Sequence, residues 1–322
     1  MSLYYQPVNT SAPGGVGRTL AWGLVAAALV GPAYGFGTAF FPSSFRAVHG
    51  FWCFFSAIIL AVWLGELVKR HRLAHPALVT RLGAAVGLTA LYLSWGVFLG
   101  VTPPTPAAGP SFSASRTAGL LVRPDRLWAA VRALNRSGTW AVDRDLTLLP
   151  ATTGDWQTAP LAGPGPLRGI RPVRVFLWGV WALEVLCLVG GTGLLARRVA
   201  REPFSVISQE WATDYNLPHR VAYLPDDSAT RAAFEAGRFG LLTPFVAGPD
   251  TEWARPYARL TLHSFPHDPS SCYLSVQCTI PARLSSTDKD FSVVEYLAIS
   301  PAVFQELKAR FSGVPLDYND PV

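Results

Sequence analysis

The sequence predicts an α-helical transmembrane four-helix bundle joined to a C-terminal soluble α+β domain, with a small extracytoplasmic α/β loop insertion before the last helix. Three observations predict it. Four long runs are almost free of charge: Thr19–Phe41 and Leu82–Val101 carry none, Phe51–Val68 carries only Glu66, and Val175–Ala196 only Glu184. The chain is half apolar and only 15% charged, against about 25% in an ordinary soluble domain. After Ala196 the apolar runs stop and short alternating segments begin. A helix rising ~1.5 Å per residue crosses a ~30 Å hydrocarbon layer in roughly 20 residues. Lipid offers no partner to backbone N–H and C=O groups, so each run must cross as a helix.

Residues 1–18 read as a short, flexible polar tail. Its GGVGR segment (Gly14, Gly15, Gly17) follows no strand and lacks a Lys-Ser/Thr, which argues against a phosphate cradle. The first run, 19–41, is too long for the apolar core of a secretion signal and has no small-residue cleavage site, so it reads as a retained helix. The second and third runs, 51–68 and 82–101, are joined by LVKRHRLAHPALVTRL, which holds Lys69, Arg70, Arg72 and Arg81. The preceding connection has only Arg46 and His49. Positive short loops stay cytoplasmic. That rule places both termini inside and the long 102–174 loop outside. Glu66, three and four residues before Lys69 and Arg70, fits an interfacial ion pair. Gly31/Gly35, Gly83/Gly87 and Gly96/Gly100 are each four apart. Small residues at that spacing let helix backbones approach closely and predict a packed bundle.

The outer loop opens on VTPPTPAAGPSFSAS, which reads as linker. A helix follows from Pro124, with Leu127, Val131 and Leu134 on one face. Arg123, Arg126, Arg132 and Arg136 read as its solvated side. Strands are expected at Trp140–Asp143 and Leu146–Leu149, and TAPLAGPGPLRG reads as a second linker before the fourth span, 175–196. Residues 197–322 predict a cytosolic α+β domain large enough for its own core. Its expected strands are Val221–Leu224, Ala258–Phe265, Cys272–Ile280 and Val293–Ile299. One helix is expected over Ser228–Ala236. A second is expected from Ser300 as N-cap, with Phe304, Leu307 and Phe311 on one face and a stop at Gly313.

Candidate chemistry is sparse. Glu184 is the tenth residue of its run, and a charge at mid-bilayer costs about 2.5–3.5 kcal/mol or more. Such a residue faces the bundle interior, and Tyr34, Thr89, Tyr92 and Ser94 are in reach of a partner role. Glu184, Tyr34 and Tyr92 form the candidate intramembrane polar site. Trp22, Trp52, Trp63 and Trp178 lie toward span ends, where indoles favour the interface. His263, His267, Cys272 and Cys278 form the only ligand-type cluster, but the spacing matches no common zinc pattern. Alternation puts Cys272, Leu274, Val276 and Cys278 on one strand face and Tyr273, Ser275, Gln277 and Thr279 on the other, so the cysteines should enter a core. Cys53 and Cys187 lie inside spans, and no disulfide framework is implied. No G-x-S-x-G, H-E-x-x-H, Walker or EF-hand pattern occurs. No catalytic, cofactor-binding or metal residue is therefore assigned from motifs.

The net charge of +6 resides largely at helix ends, where lipid headgroups and orientation explain it better than nucleic acid. The lipid bilayer is the expected partner, with a protein partner for the cytosolic domain. The oligomeric state is not legible. The expected role is a non-enzymatic membrane anchor, scaffold or signal-transmitting protein. The alternative is a small transporter or channel component using Glu184.

Several segments resemble an uncharacterised group of bacterial four-span membrane proteins with a C-terminal cytosolic domain. They are PAYGFGTAFFPSSF (32–45), LVKRHRLAH (67–75), TALYLSW (89–95), PDRLWAAVRALNRSGTW (124–140), LWGVWALEV (177–185) and REPFSVISQEW (201–211). The resemblance implies an inner-membrane location and a recurring acidic position at Glu184. It also implies two C-x2-C pairs forming a zinc-ribbon-like site. Here Ser205 and Ser208 stand at the first pair, and the second falls near Ser264 and His267. Serine is a poor zinc ligand, so the resemblance implies that the metal has been lost.

Overall fold

The computed structural model describes residues 3–40, 48–102, 111–137, 140–142, 148–150, 175–245, 255–281 and 289–311. They form two units: Ser11–Arg201, and Glu202–Val322 together with Met1–Thr10. Two short strands, β1 (Thr10–Ser11) and β2 (Leu73–Ala74), flank the first helices.

The first unit is helical, and four of its helices are long and apolar enough to cross a membrane. They are α1 (Gly15–Phe40), α2 (Val48–Arg70), α3 (Pro76–Gly100) and a broken fourth span. Each extends a few residues beyond the charge-free run that predicts it, because polar ends can wind outside an apolar layer. His75 caps α3 through Nδ1, which accepts from the Leu78 N–H at 3.3 Å, and Pro76 follows at the first helical position. The fourth span is α6 (Val175–Val185), a π-helical segment Leu186–Gly191, and α7 (Thr192–Val199). The sequence predicts one uninterrupted α-helix there, and the π segment corrects it.

All three glycine pairs sit at close approaches. Cβ atoms on Gly31 and Gly35 of α1 would collide with the α3 backbone at Ala90 and Ser94. A Cβ on Gly83 would lie 2.6 Å from Gly193 Cα, and one on Gly87 would meet the π-segment backbone at Leu188 and Val189. Helix α3 therefore packs on α1 along one side and on the fourth span along another. The third pair does not join two spans: Gly96 and Gly100 receive Leu121 and Thr117 of helix α4 (Ala114–Val122).

That helix corrects the first linker. Strand β3 (Val101–Thr102) pairs with β4 (Ser111–Phe112), and Ser113 Oγ caps α4 by accepting from the Arg116 N–H at 3.3 Å. The Ser-Ala-Ser that reads as linker is thus a helix start. Helix α5 (Pro124–Ser137) begins at the predicted proline, and Leu127 and Val131 are buried with Leu99, Leu177 and Trp181. Strands β5 (Trp140–Val142) and β6 (Leu148–Pro150) pair antiparallel. The second linker, residues 158–169, lies outside the described residues.

The second unit is an α+β domain. Strands β7 (Phe204–Ser205) and β8 (Glu210–Trp211) form a small hairpin. The main antiparallel sheet runs β10 (Val221–Ala222), β11 (Tyr257–Phe265), β12 (Asp268–Ile280), β13 (Lys289–Ile299), and β9 (Thr213–Asn216) also pairs with β11. Helices α8 (Ser228–Glu235) and α9 (Pro301–Phe311) complete it. The core holds Leu260, Leu262, Leu274, Val276 and Leu297 with Phe234, Phe304, Leu307 and Phe311. Each such side chain contributes about 1.5–3 kcal/mol on burial. Ser300 Oγ accepts from the Val303 N–H at 3.3 Å, as an N-cap should. Cys272 and Cys278 lie in this core, and the Cys278 thiol donates to the Leu224 carbonyl at 3.3 Å. Gly313 is outside the described residues.

The N-terminal tail is not a free segment. Residues 3–5 add to the edge of β13: Tyr4 bridges Leu297, the Tyr5 N–H donates to the Tyr296 carbonyl at 2.9 Å, and the Ala298 N–H donates to the Leu3 carbonyl at 2.8 Å. Side chains alternate as in a strand. Tyr4 packs on the core and its hydroxyl donates to Glu235 at 2.9 Å. Burial and that hydrogen bond push the phenol up to about 12, so it stays a donor. Tyr5 turns to the other face and meets Tyr273 and Tyr296 edge-on.

Gly83→Val should lower the melting temperature of the detergent-solubilised protein, by an overpacking cost of about 1–3 kcal/mol. Gly179→Ala, whose added methyl meets nothing within 4 Å, should not lower it. A scan of both variants against the parent checks the bundle packing.

Candidate functional site

Two clusters of polar side chains stand out, one in each unit. The first surrounds Glu184, at the end of α6 where the π segment begins. It is 8% exposed although no charged partner lies among its neighbours in the sequence. Tyr34 of α1 reaches it, and the two side chains share a hydrogen bond. The Cys53 thiol donates to the Glu184 backbone carbonyl at 3.8 Å, and Cys187 lies beside Cys53. Tyr34 and Cys53 belong to an apolar cluster with Ala57, Leu60, Ala90 and Leu91. The other residues proposed as partners are engaged elsewhere. The Tyr92 hydroxyl donates to the Leu121 carbonyl of α4 at 2.7 Å. Ser94 and Thr89 donate to carbonyls of their own helix at Leu91 and Ala85. Tyr34 and Glu184 are thus brought together, and Tyr92 instead ties α3 to α4. The π segment puts a wider turn beside the carboxyl, a feature that recurs at functional positions in helices.

The second cluster crosses three strands of the sheet on the face opposite the core. Asp214 of β9 pairs directly with His263 of β11. Ser275 of β12 lies diagonally beyond. His263 Nδ1 is 2.6 Å from Asp214 Oδ1, and Nε2 is 2.9 Å from Ser275 Oγ. His263 is 4% exposed, and Ser275 is half-buried. Opposite Ser275 the ladder breaks: Leu274 pairs with Leu297 and Val276 with Val294, so Glu295 and Tyr296 together face one residue. Tyr296 sits in the left-handed region at φ 54°, unusual for a bulky residue. The bulge aims its N–H at Ser275 Oγ, 3.0 Å away, and its ring lies 5.0 Å from the His263 ring. A carboxylate only accepts hydrogen bonds. Asp214 therefore requires the proton on Nδ1, which leaves the Nε2 lone pair for the serine hydroxyl. The chain of donors runs from Tyr296 N–H through Ser275 and His263 to Asp214.

Sequence reasoning missed this group. The sequence groups His263 with His267 and the cysteines, but the cysteines enter the core and His267 meets the Glu210 carboxylate at 2.9 and 3.0 Å. Asp214 and Ser275 are 49 and 12 residues from His263, and the strand bearing Asp214 has no clear signal. The alternation of β12, which puts Ser275 on its polar face, was the one usable clue.

The β7–β8 turn meets the turn between β11 and β12 through Asp268. Ser205 Oγ donates to Asp268 Oδ2 at 3.0 Å and accepts from the Ser208 N–H at 3.2 Å. Ser270 donates to the other Asp268 oxygen at 2.7 Å. Ser264 is a strand residue of β11, paired with Thr213 and Cys272. Among the described residues no three His, Cys, Asp or Glu side chains converge as a metal site would need. Hydrogen bonds to a buried carboxylate join the turns.

The Ser270 hydroxyl, followed by the Ser271 and Ser205 hydroxyls, holds the Asp268 carboxyl below its ordinary value and outweighs the opposing effect of burial. A depressed folded-state value gives stability that is complete above the unfolded-state value near pH ~4 and lost as pH falls through the lower folded-state value. Asp268→Asn should therefore be less stable than the parent at neutral pH, by about 1–3 kcal/mol, with the gap narrowing below pH ~4. Acid-denaturation curves of both proteins check this. No known protein family, no curated protein and no solved structure matches the chain.

Proposed function

We propose that the chain is a multipass integral membrane protein that anchors its α+β domain at a bacterial inner membrane and passes changes in the bundle on to that domain. Both termini lie on the cytoplasmic side, and α4 and α5 belong to an extracytoplasmic cap. The observation that carries the reading is the pairing of residues 3–5 with β13. It makes the domain the landing point of both chain ends of the helical unit, at Thr10/Ser11 and at Arg201/Glu202. A domain held at two points responds to relative movement of α1 and α7, which one linker would absorb. An even number of spans with both ends in one domain also requires both ends on one side. The basic residues Lys69, Arg70 and Arg72 beyond α2 support the cytoplasmic side.

A second reading, a small transporter or channel component, is favoured by the buried Glu184–Tyr34 pair beside the π segment. Glu184→Gln keeps the size of the side chain and removes its charge. If it leaves flux and proton coupling of reconstituted vesicles unchanged, that reading fails.

Orientation is checked by a membrane-impermeant maleimide on intact cells. Ser115→Cys should label at once, whereas Ser228→Cys, exposed on α8, should label only after permeabilisation. Transmission is checked by hydrogen exchange on the full-length protein in nanodiscs. Glu184→Gln should change protection in β13 around Tyr296–Ala298, and unchanged protection there would sink the transmitting role while leaving the anchor.

A further inference from the structure

We propose that Asp214, His263 and Ser275 form a nucleophilic site for acyl transfer, with Ser275 as nucleophile, His263 as general base and acid, and Asp214 as the residue that positions the imidazole. Such sites are recognised by geometry and role and not by sequence order. The geometry meets the requirements in turn. The serine is half-buried and the histidine fully buried, so substrate can meet Ser275 while water is kept from the base. The Nε2 contact to Ser275, at 2.9 Å, is a hydrogen bond of ordinary length, and the Nδ1 contact to Asp214, at 2.6 Å, is a short one. The acceptor-only carboxylate fixes the tautomer that leaves Nε2 free to take the serine proton.

The β-bulge supplies the next part. Tyr296 adopts a left-handed conformation that is unfavourable for a bulky residue. The conformation presents the Tyr296 N–H to Ser275 Oγ at 3.0 Å. An oxyanion on a carbon bonded to that Oγ is within reach of the same donor, which stabilises charge as it develops. Tyr273 neighbours Ser275 on the same strand face, and Tyr5 stacks edge-on between Tyr273 and Tyr296. This aromatic wall suits an apolar acyl group.

The substrate class is a carboxylic ester with an apolar acyl chain. Ser275 Oγ attacks the carbonyl carbon as its proton passes to His263 Nε2. The ester C–O bond breaks, and the alcohol leaves with that proton. Water then attacks the acyl-serine carbonyl, gives a proton to Nε2, and the proton returns to Ser275 as the acid departs.

The test uses the full-length protein in detergent with a fluorophosphonate probe and with p-nitrophenyl butyrate. The parent should be labelled, with the adduct mapped by mass spectrometry to Ser275, and should release nitrophenol. Ser275→Ala should abolish both. His263→Gln should slow labelling about 10²–10⁴-fold. Asp214 lies at the surface, so Asp214→Asn should keep the parent's melting temperature. It should slow labelling, because the wrong tautomer is then favoured, and move its pH profile to the acidic side, because an imidazole gives up its proton more readily without a facing carboxylate. A folded parent that takes no label, or a Ser275→Ala variant labelled like the parent, overturns the proposal. A folded Asp214→Asn variant with the parent's rate and profile overturns the role of Asp214 and of the base it orients.

Discussion

The helical unit depends on how closely α3 approaches its neighbours. Within a membrane, apolar side chains gain little by leaving lipid for protein, so helices associate through close packing and shared polar contacts. Glycines at 31, 35, 83 and 87 remove the side chains that would hold the backbones apart. Helix α3 is thereby locked to α1 and to the fourth span at once. The meeting of Tyr34 with Glu184 follows from that geometry. Tyr34 lies next to Gly35 on α1, and Glu184 precedes the π segment that Gly87 abuts. The phenol and the carboxyl meet because two separate glycine contacts bring α1 and the π segment that follows Glu184 to the same neighbour.

The soluble unit is governed by the same demand in a different setting: a buried polar group needs a partner. Asp268 has its partners in the serines of two turns, and it joins the β7–β8 hairpin to the start of β12. His263 has one for each ring nitrogen. The N-terminal segment answers the demand of a sheet edge, whose unpaired N–H and C=O groups would otherwise be open to another chain. Residues 3–5 close part of the β13 edge.

Much of the architecture was legible. Absence of charge located the four helices that are long and apolar enough to cross a membrane. Ser300, Pro301 and the Phe304/Leu307/Phe311 stripe gave α9 with its cap and buried face. Strict alternation in β12 put Cys272 and Cys278 in the core. The candidate site was legible only in part. Glu184 and Tyr34 were found, one as an out-of-place acid and the other as a donor in a facing span. Tyr92 instead donates to Leu121 of α4, because depth in an apolar run does not report which way a helix face turns. Asp214 and Ser275 were not found at all, and α4 was hidden behind a Pro/Ala/Ser stretch whose last residues turned out to be a cap.

The sequence by itself determined what local composition and period can determine: which segments suit hydrocarbon, which faces are apolar, where helices start, and which short loop is basic. The tertiary structure alone decided the pairing of residues 3–5 with β13, the π segment after Glu184, the bulge at Tyr296 and the Asp214–His263–Ser275 chain. Backbone hydrogen bonds to a sheet edge can be made by a segment bearing almost any side chains, so the tail carried no signal for them. The relay arises from strand register, and register is fixed by the packing of a whole face and not by the residues that happen to meet across it.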